Sequence, residues 1–258
     1  MKMENKKYTL TEAILVTADG KKLHRIQALI DIRAGVLAGD LGGYIERESN
    51  LSTDDTAWIS GDALVSGEAQ VLGEAWVYGE ARVSDAAWVN GAARVNGAAR
   101  ISGAAWVGGA ARISWEAWIG DNAQVFGRAR VFGRARVFGE ARISGEARVG
   151  GDAEVCGDAR VRGAAWISER SQVLGNALVF GMAEVSGEAR VYGAAKISGV
   201  ARVYGNARVC GDARVYGDAR VFGAAQVSGE ARVSGEARVF GEARISGEAR
   251  VGGDAEVR

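Results

Sequence analysis

Residues 137–155 read VFGEARISGEARVGGDAEV, and the same nineteen letters return at residues 239–257. Within them a six-residue phrase, V-x-G-x-A-x, recurs without insertion. Extended in both directions it runs from Ile59 to Val257, with Val or Ile at every sixth position across 34 hexads. Ala sits four residues after each, broken only by Ser171. Gly sits two after, replaced only at Asp85, Trp115, Asp121 and Glu169. A fixed short period predicts a stacked repeat architecture. Ala and Val two residues apart with a polar residue between them is the alternation of a strand whose inner face is apolar. Gly then ends each strand by allowing backbone angles that other residues avoid. A helix would lose about 1 kcal/mol at every such Gly relative to Ala.

The economical solution is an all-β, parallel solenoid: about eleven triangular coils of 18 residues, three short strands to a coil. Stacked at roughly 4.8 Å per coil, they predict a rod on the order of 50 Å long. The repeated segment supports the hexad, rather than the coil, as the unit. Its offset of 102 residues is 17 hexads and not a whole number of coils, so the second copy is expected to begin on a different side.

Residues 1–55 do not repeat and are expected to cap the solenoid of residues 56–258. Ala18-Asp19-Gly20 between two apolar-rich runs is a hairpin signal, and a hairpin there would cover open strand edges. Further on, Ala38-Gly39, Gly42-Gly43-Tyr44, Asn50-Leu51-Ser52 and Trp58, followed by G-x-A hexads, resemble the YdcK-like hexapeptide-repeat proteins of bacteria and their phages. The resemblance implies a single-stranded left-handed β-helix of the kind shared with hexapeptide acyltransferases. The right-handed, polymer-forming bactofilins, which also use V-x-G-x-V phrases, stand as the alternative.

Charge is balanced, 32 basic residues against 32 acidic, so no global field draws the chain to nucleic acid or membrane. No apolar run suits a signal peptide or a membrane span, and a cytoplasmic protein is expected. Cys156 and Cys210 fall three coils apart, roughly 14 Å by the coil spacing, beyond disulfide reach. Free thiols suit a reducing compartment.

Acid–base chemistry on this fold needs a histidine, and zinc needs several. The one histidine, His24, lies in the leader and reads as structural. The hexads hold no Thr for an ice-binding array. The sequence therefore predicts no enzyme, no cofactor and no metal.

Candidate interaction residues lie on the outward positions. Trp58, Trp76, Trp88, Trp106 and Trp118 precede the inward Val or Ile, and Trp115 takes the place of a corner Gly. Exposed aromatic rungs suggest an interface, although stacked Trp also shields a sheet. FGRARVFGRARVF at residues 126–138 resembles a basic, aromatic-interleaved nucleic-acid motif. Folding is expected to send Arg130, Arg136 and Arg142 to three different sides instead. Binned by side, Arg94, Arg112, Arg128, Arg130 and Arg148 share one flank with Trp58, Trp76 and Tyr78, a stripe suited to phosphates or an acidic partner. Tyr204, Phe222 and Phe240 form an aromatic ladder. At the last coil, Val251, Val257 and Arg258 are a candidate assembly edge.

The first functional expectation is a non-catalytic structural or interaction scaffold forming a homo-oligomer, an end-to-end dimer in preference to a filament. The second is a phage- or prophage-type protein that engages a host protein or nucleic acid through the Trp rungs or the Arg stripe. A transferase-like enzyme comes last, and a membrane is not an expected partner.

Overall fold

A computed structural model describes residues 6–258. Three longer strands come first: β1 (Tyr8–Val16), β2 (Lys22–Ala28) and β3 (Leu41–Ile45). A short 3-10 turn, Glu48–Asn50, follows, and then 34 two-residue strands from Trp58–Ile59 to Glu256–Val257. Each strand pairs in parallel with the one 18 residues on, so the chain is a parallel β-solenoid of about twelve turns.

The hexad explains the strand and the corner together. Ala and the Val or Ile two residues later point inward, and in the inner coils they are fully buried. The residues between and after them point out. At many corners the Ala N–H donates back three residues, as Ala153 does to the Gly150 carbonyl at 3.4 Å. The first central residue of that turn is the hexad Gly, held at positive φ (Gly187 at 70°), and the second is not. That is the arrangement of a type II′ turn, which favours Gly first. Among the described residues, four other than Gly have positive φ: Asp85, Trp115, Asp121 and Glu169. They are the four positions where the hexad lacks its Gly. Trp115 is 71% exposed and points out from its corner without breaking the ladder on either side of it.

The chain divides into two compact units, residues 1–121 and 122–258. In the first, the expected hairpin is present: β1 and β2 pair antiparallel around Gly20, whose N–H donates to the Thr17 carbonyl. β2 then pairs antiparallel with β3. β3 changes the direction of the sheet, running parallel to Leu64–Val65 with Tyr44 opposite Leu64. Gly42 and Gly43 allow this close approach. A Cβ on Gly42 would lie 2.4 Å from Ile26 Cγ1, and one on Gly43 2.6 Å from the Ala63 carbonyl oxygen. Leu51 makes a parallel bridge to Val71. Parallel winding therefore begins at Tyr44, with a spacing of 20 residues to the next coil (Tyr44 to Leu64, Leu51 to Val71) before it settles to 18 at Trp58 and Trp76.

Polar groups fix this leader to the first coil. Asn50 is fully buried: its Oδ1 accepts from the Arg47 N–H at 2.8 Å, and its Nδ2 donates to the carbonyls of Gly67 (3.0 Å) and Ala69 (2.8 Å). Lys7 is buried with its Nζ 2.8 Å from the Ala57 carbonyl and 3.2 Å from Asp55 Oδ1. Burial pulls the Lys7 pKa down against the pull of Asp55. Burial alone would raise Asp55, but the N–H of Gly73, the Ser52 hydroxyl, the N–H of Ala57 and Lys7 outweigh it and hold the carboxyl below its ordinary value. Glu46 is also held low, chiefly by the Gly67 N–H at 2.7 Å.

Both carboxylates bind fewer protons folded than unfolded, so their stabilisation is present above their ordinary pKa and is lost as pH falls through and below it. Hydrogen exchange in residues 8–45 is therefore expected to accelerate, relative to the coils, as pH drops below about 4. Glu46→Gln with Asp55→Asn should flatten that dependence. A leader that loosens equally in the double variant would rule out these two groups as the cause.

In the second unit the three sides are independent ladders. One runs Arg136–Val137 through Arg244–Ile245, one Gln124–Val125 through Arg250–Val251, and one Arg130–Val131 through Glu256–Val257. Arg130, Arg136 and Arg142 fall on three different sides, as expected. The repeated segment begins on one side at Val137 and on another at Val239. Ser171, in an Ala position, is buried and satisfied, its hydroxyl donating to the carbonyls of Ser168 (2.6 Å) and Val185 (3.1 Å).

Candidate interaction surfaces

In the first unit, Trp58, Trp76, Arg94 and Arg112 stand in register on one ladder. Trp58 does not belong to an exposed surface. It is 1% exposed, because the first coil lies against β3 and the leader covers what the hexad alone would leave open. Trp76 is half-buried, with the Arg33 guanidinium 4.9 Å above its ring and the Tyr78 ring 4.9 Å away. Arg33 is anchored by a 3.2 Å bond to the Glu74 carbonyl, so a leader residue closes this end of the ladder. Tyr78 accepts from Asn96 Nδ2 at 3.0 Å. Arg94 and Arg112 remain exposed.

Trp88 and Trp106 stand opposite each other on a second side and are 48% and 42% exposed. Trp118 lies on the third, beside Arg100. The indoles share a device that the hexad did not disclose. The Trp76, Trp106 and Trp118 Nε1 groups donate to Ser60 (2.9 Å), Asn90 (3.0 Å) and Ser102 (3.1 Å), each sixteen residues earlier. The ring is thereby laid back along the preceding coil. Trp88 has Leu72 at that position and carries no such bond.

In the second unit Arg130 and Arg148 are opposite each other, and Trp166 follows Arg148 on the same ladder, 44% exposed. Trp166 belongs among the outward Trp residues. Arg128 sits at a corner and pairs with Glu146 at 3.4 Å, so it is less available to a ligand than the strand arginines. The aromatic ladder is present, with Tyr204–Phe222 and Phe222–Phe240 centroids 4.9 and 5.3 Å apart and rings nearly parallel.

Cys156 and Cys210 are free and half-buried. Burial, reinforced by Glu154, pushes the Cys156 thiol up, away from the thiolate that reactive chemistry needs. A hydrogen bond with Cys210 raises Tyr192.

Two overlapping stretches, residues 201–214 and 213–229, match the family described as YdcK Beta solenoid repeat. Over residues 201–229 the chain is similar to that repeat. The matched stretch covers Tyr204, Cys210 and Phe222, and its hexads are of the same form as the rest of the second unit. The matched residues show the V-x-G-x-A-x phrase without Trp and with Gly at every corner. No curated protein matches the chain in sequence. Among the described residues no helix is long and apolar enough to cross a membrane.

Proposed function

We propose that this β-solenoid repeat protein is a non-catalytic scaffold that joins a second copy of itself through its last coil. The observation that carries this reading is the state of that coil. Val and Ile of the inner coils are fully buried, whereas Val251 and Val257 are only half-covered and Ala249 and Ala255 are exposed. In every inner coil the N–H groups flanking the inward Val or Ile donate to the next coil, as Arg238 does to Ala255 and Phe240 to Val257. Those of Arg244, Ser246, Arg250 and Gly252 present the same donors to whatever lies beyond. Arg258 stands beside this edge.

A two-fold axis perpendicular to the solenoid axis would reverse the strand direction on all three sides at once. Two last coils would then pair antiparallel, which satisfies donors and acceptors and closes the assembly. β1–β3 cover the first coil, which favours the closed pair over a filament. The free thiols fit a cytoplasmic setting.

Light scattering across concentration tests this. The full chain is expected to have twice the monomer mass, and a chain ending at residue 240 to be monomeric with the same far-UV spectrum. A monomer in both cases would remove the end-to-end reading.

The exposed Trp88 and Trp106 rungs favour a second reading, a phage- or prophage-type protein that binds a host macromolecule. Trp88→Ser with Trp106→Ser would then abolish capture of that partner and leave the assembly state unchanged.

A further inference from the structure

On one side of the second unit, seven successive strands from Arg142–Ile143 to Arg250–Val251 pair in parallel and in register. Their outward residues are Arg142, Arg160, Leu178, Lys196, Arg214, Arg232 and Arg250. This is a single file of cations with one apolar break and no acidic residue. The other two ladders are mixed, with Glu154 following Arg136 on one and Glu184 preceding Arg202 on the other. Cations on those sides find partners, as in Arg202–Glu184 (3.6 Å), Arg238–Glu256 (3.2 Å), Arg134–Asp152 (2.9 Å) and Arg170–Glu188 (3.4 Å). Among the described residues no ion pair reaches any cation of the file. Like charges directly opposite each other weaken a sheet, so the file is a cost that packing does not explain.

Two further features mark the middle of the file. Glu140, Asp158, Asp212, Glu230 and Glu248 stand at the corners before the file, but beside Leu178 and Lys196 the corner residues are Asn176 and Ala194 on one border and Met182 and Val200 on the other, so the acidic border lapses there. There the shorter Leu178 side chain floors a shallow depression of about 450 Å³ lined by Arg142, Arg160, Asn176 and Lys196, and also by Glu140 and Asp158. The second outward column of the same side adds Phe180, with the Arg162 guanidinium 5.2 Å over its ring, and Tyr216, 40% exposed. Cations in single file beside apolar and aromatic surface form an amphipathic track running along the solenoid axis.

We propose that this track binds an extended acidic polysaccharide, a chain of uronic acids, with carboxylates on Arg160 and Lys196, two rungs apart across Leu178. The carbon faces of the sugar rings lie on Leu178, Phe180 and Tyr216. The period selects the ligand. Rungs are about 4.8 Å apart, so two rungs span about 9.6 Å, close to the two-sugar repeat of an extended uronic acid chain in which alternate carboxylates face the same way. Arg takes a carboxylate through two parallel N–H bonds, while Lys196 supplies a point charge. A stacked nucleic acid strand advances about 3.4 Å per phosphate, so its phosphates do not match successive rungs. The file is also one residue wide and bordered by Glu140, Asp158 and Asp212, which repel the second phosphate row of a duplex. The surface does not depend on end-to-end assembly, because Arg142 to Arg214 lie before the last coil.

Titration calorimetry of the full chain with an oligogalacturonate hexamer tests the proposal, with a neutral cello-oligosaccharide and a twenty-nucleotide oligothymidylate as comparison probes. Saturable binding of the uronate is expected, weakening at least tenfold as salt rises from low to physiological. Arg160→Glu with Lys196→Glu should abolish it, and the milder Arg160→Gln with Lys196→Gln should weaken it at least tenfold at an unchanged melting temperature. Arg190→Glu with Arg208→Glu, on another side, should leave it within twofold. Absent binding would overturn the proposal, as would tighter binding of oligothymidylate than of the uronate. Equal loss from the variant on the other side would also overturn it, reducing the effect to unspecific ion exchange.

Discussion

Gly187→Ala is expected to destabilise the second unit by about 2–5 kcal/mol, while Gly175→Ala costs only about 1–2 kcal/mol. Both are corner glycines at positive φ, 70° and 64°. Each therefore carries the left-handed penalty of an L-residue, about 1–2 kcal/mol. They differ in what the new methyl group would meet. At Gly187 it would lie 2.7 Å from the Gly205 nitrogen and 2.9 Å from its oxygen, distances that force neighbouring coils apart. At Gly175 the nearest atoms, in Gly193, are 3.3 Å away, and a shift of a few tenths of an ångström relieves the contact. Overpacking adds about 1–3 kcal/mol at the first site and little at the second. Urea unfolding followed by far-UV circular dichroism reads the difference. Equal midpoints would mean that the corner is limited by backbone angle alone. The converse change, Glu169→Gly, relieves a residue held at φ 59° and should raise the midpoint.

Asn50→Ala is expected to cost about 3 kcal/mol, roughly one for each of the three hydrogen bonds removed. The Arg47 N–H loses its acceptor, and the Gly67 and Ala69 carbonyls lose their donor, at a site closed to water. The damage should be local, because repeat proteins sum near-neighbour interactions. Amides of β1–β3 should lose protection by hydrogen exchange, while amides of residues 130–240 keep theirs. Uniform loss along the chain would show that the leader and the coils unfold as one. Asn50→Asp serves as a second variant, since a carboxylate would place a charge against the two carbonyls and should be at least as damaging.

The architecture was legible because one chemical rule repeats, and its exceptions were as informative as its observance. Asp85, Trp115, Asp121 and Glu169 stand out in the sequence as missing glycines and in the structure as the residues other than Gly at positive φ. What the hexad could not disclose comes from outside it. Trp58 occupies an outward position by phase yet is buried, because a leader with no repeat of its own lies over it. Two additional residues between Leu51 and Ile59 shift the spacing, which hides the fact that Tyr44 already pairs with the coils. Trp166 was within reach: it follows Trp58 by 108 residues, six whole coils, and so shares its outward position. The cation file emerges only when all three ladders are compared and one proves to contain no acid, a contrast invisible along the linear chain.

The three-sided winding also sets a rule for how such a molecule can grow. Within the second unit a gain or loss of six residues leaves every strand intact but advances everything downstream by a third of a revolution. A feature is then carried from one azimuth to the next, as the segment beginning at Val137 and again at Val239 has been. Only changes of eighteen residues return it to its starting bearing. Indels in this chain therefore act as an angular ratchet, re-aiming a surface without redesigning it.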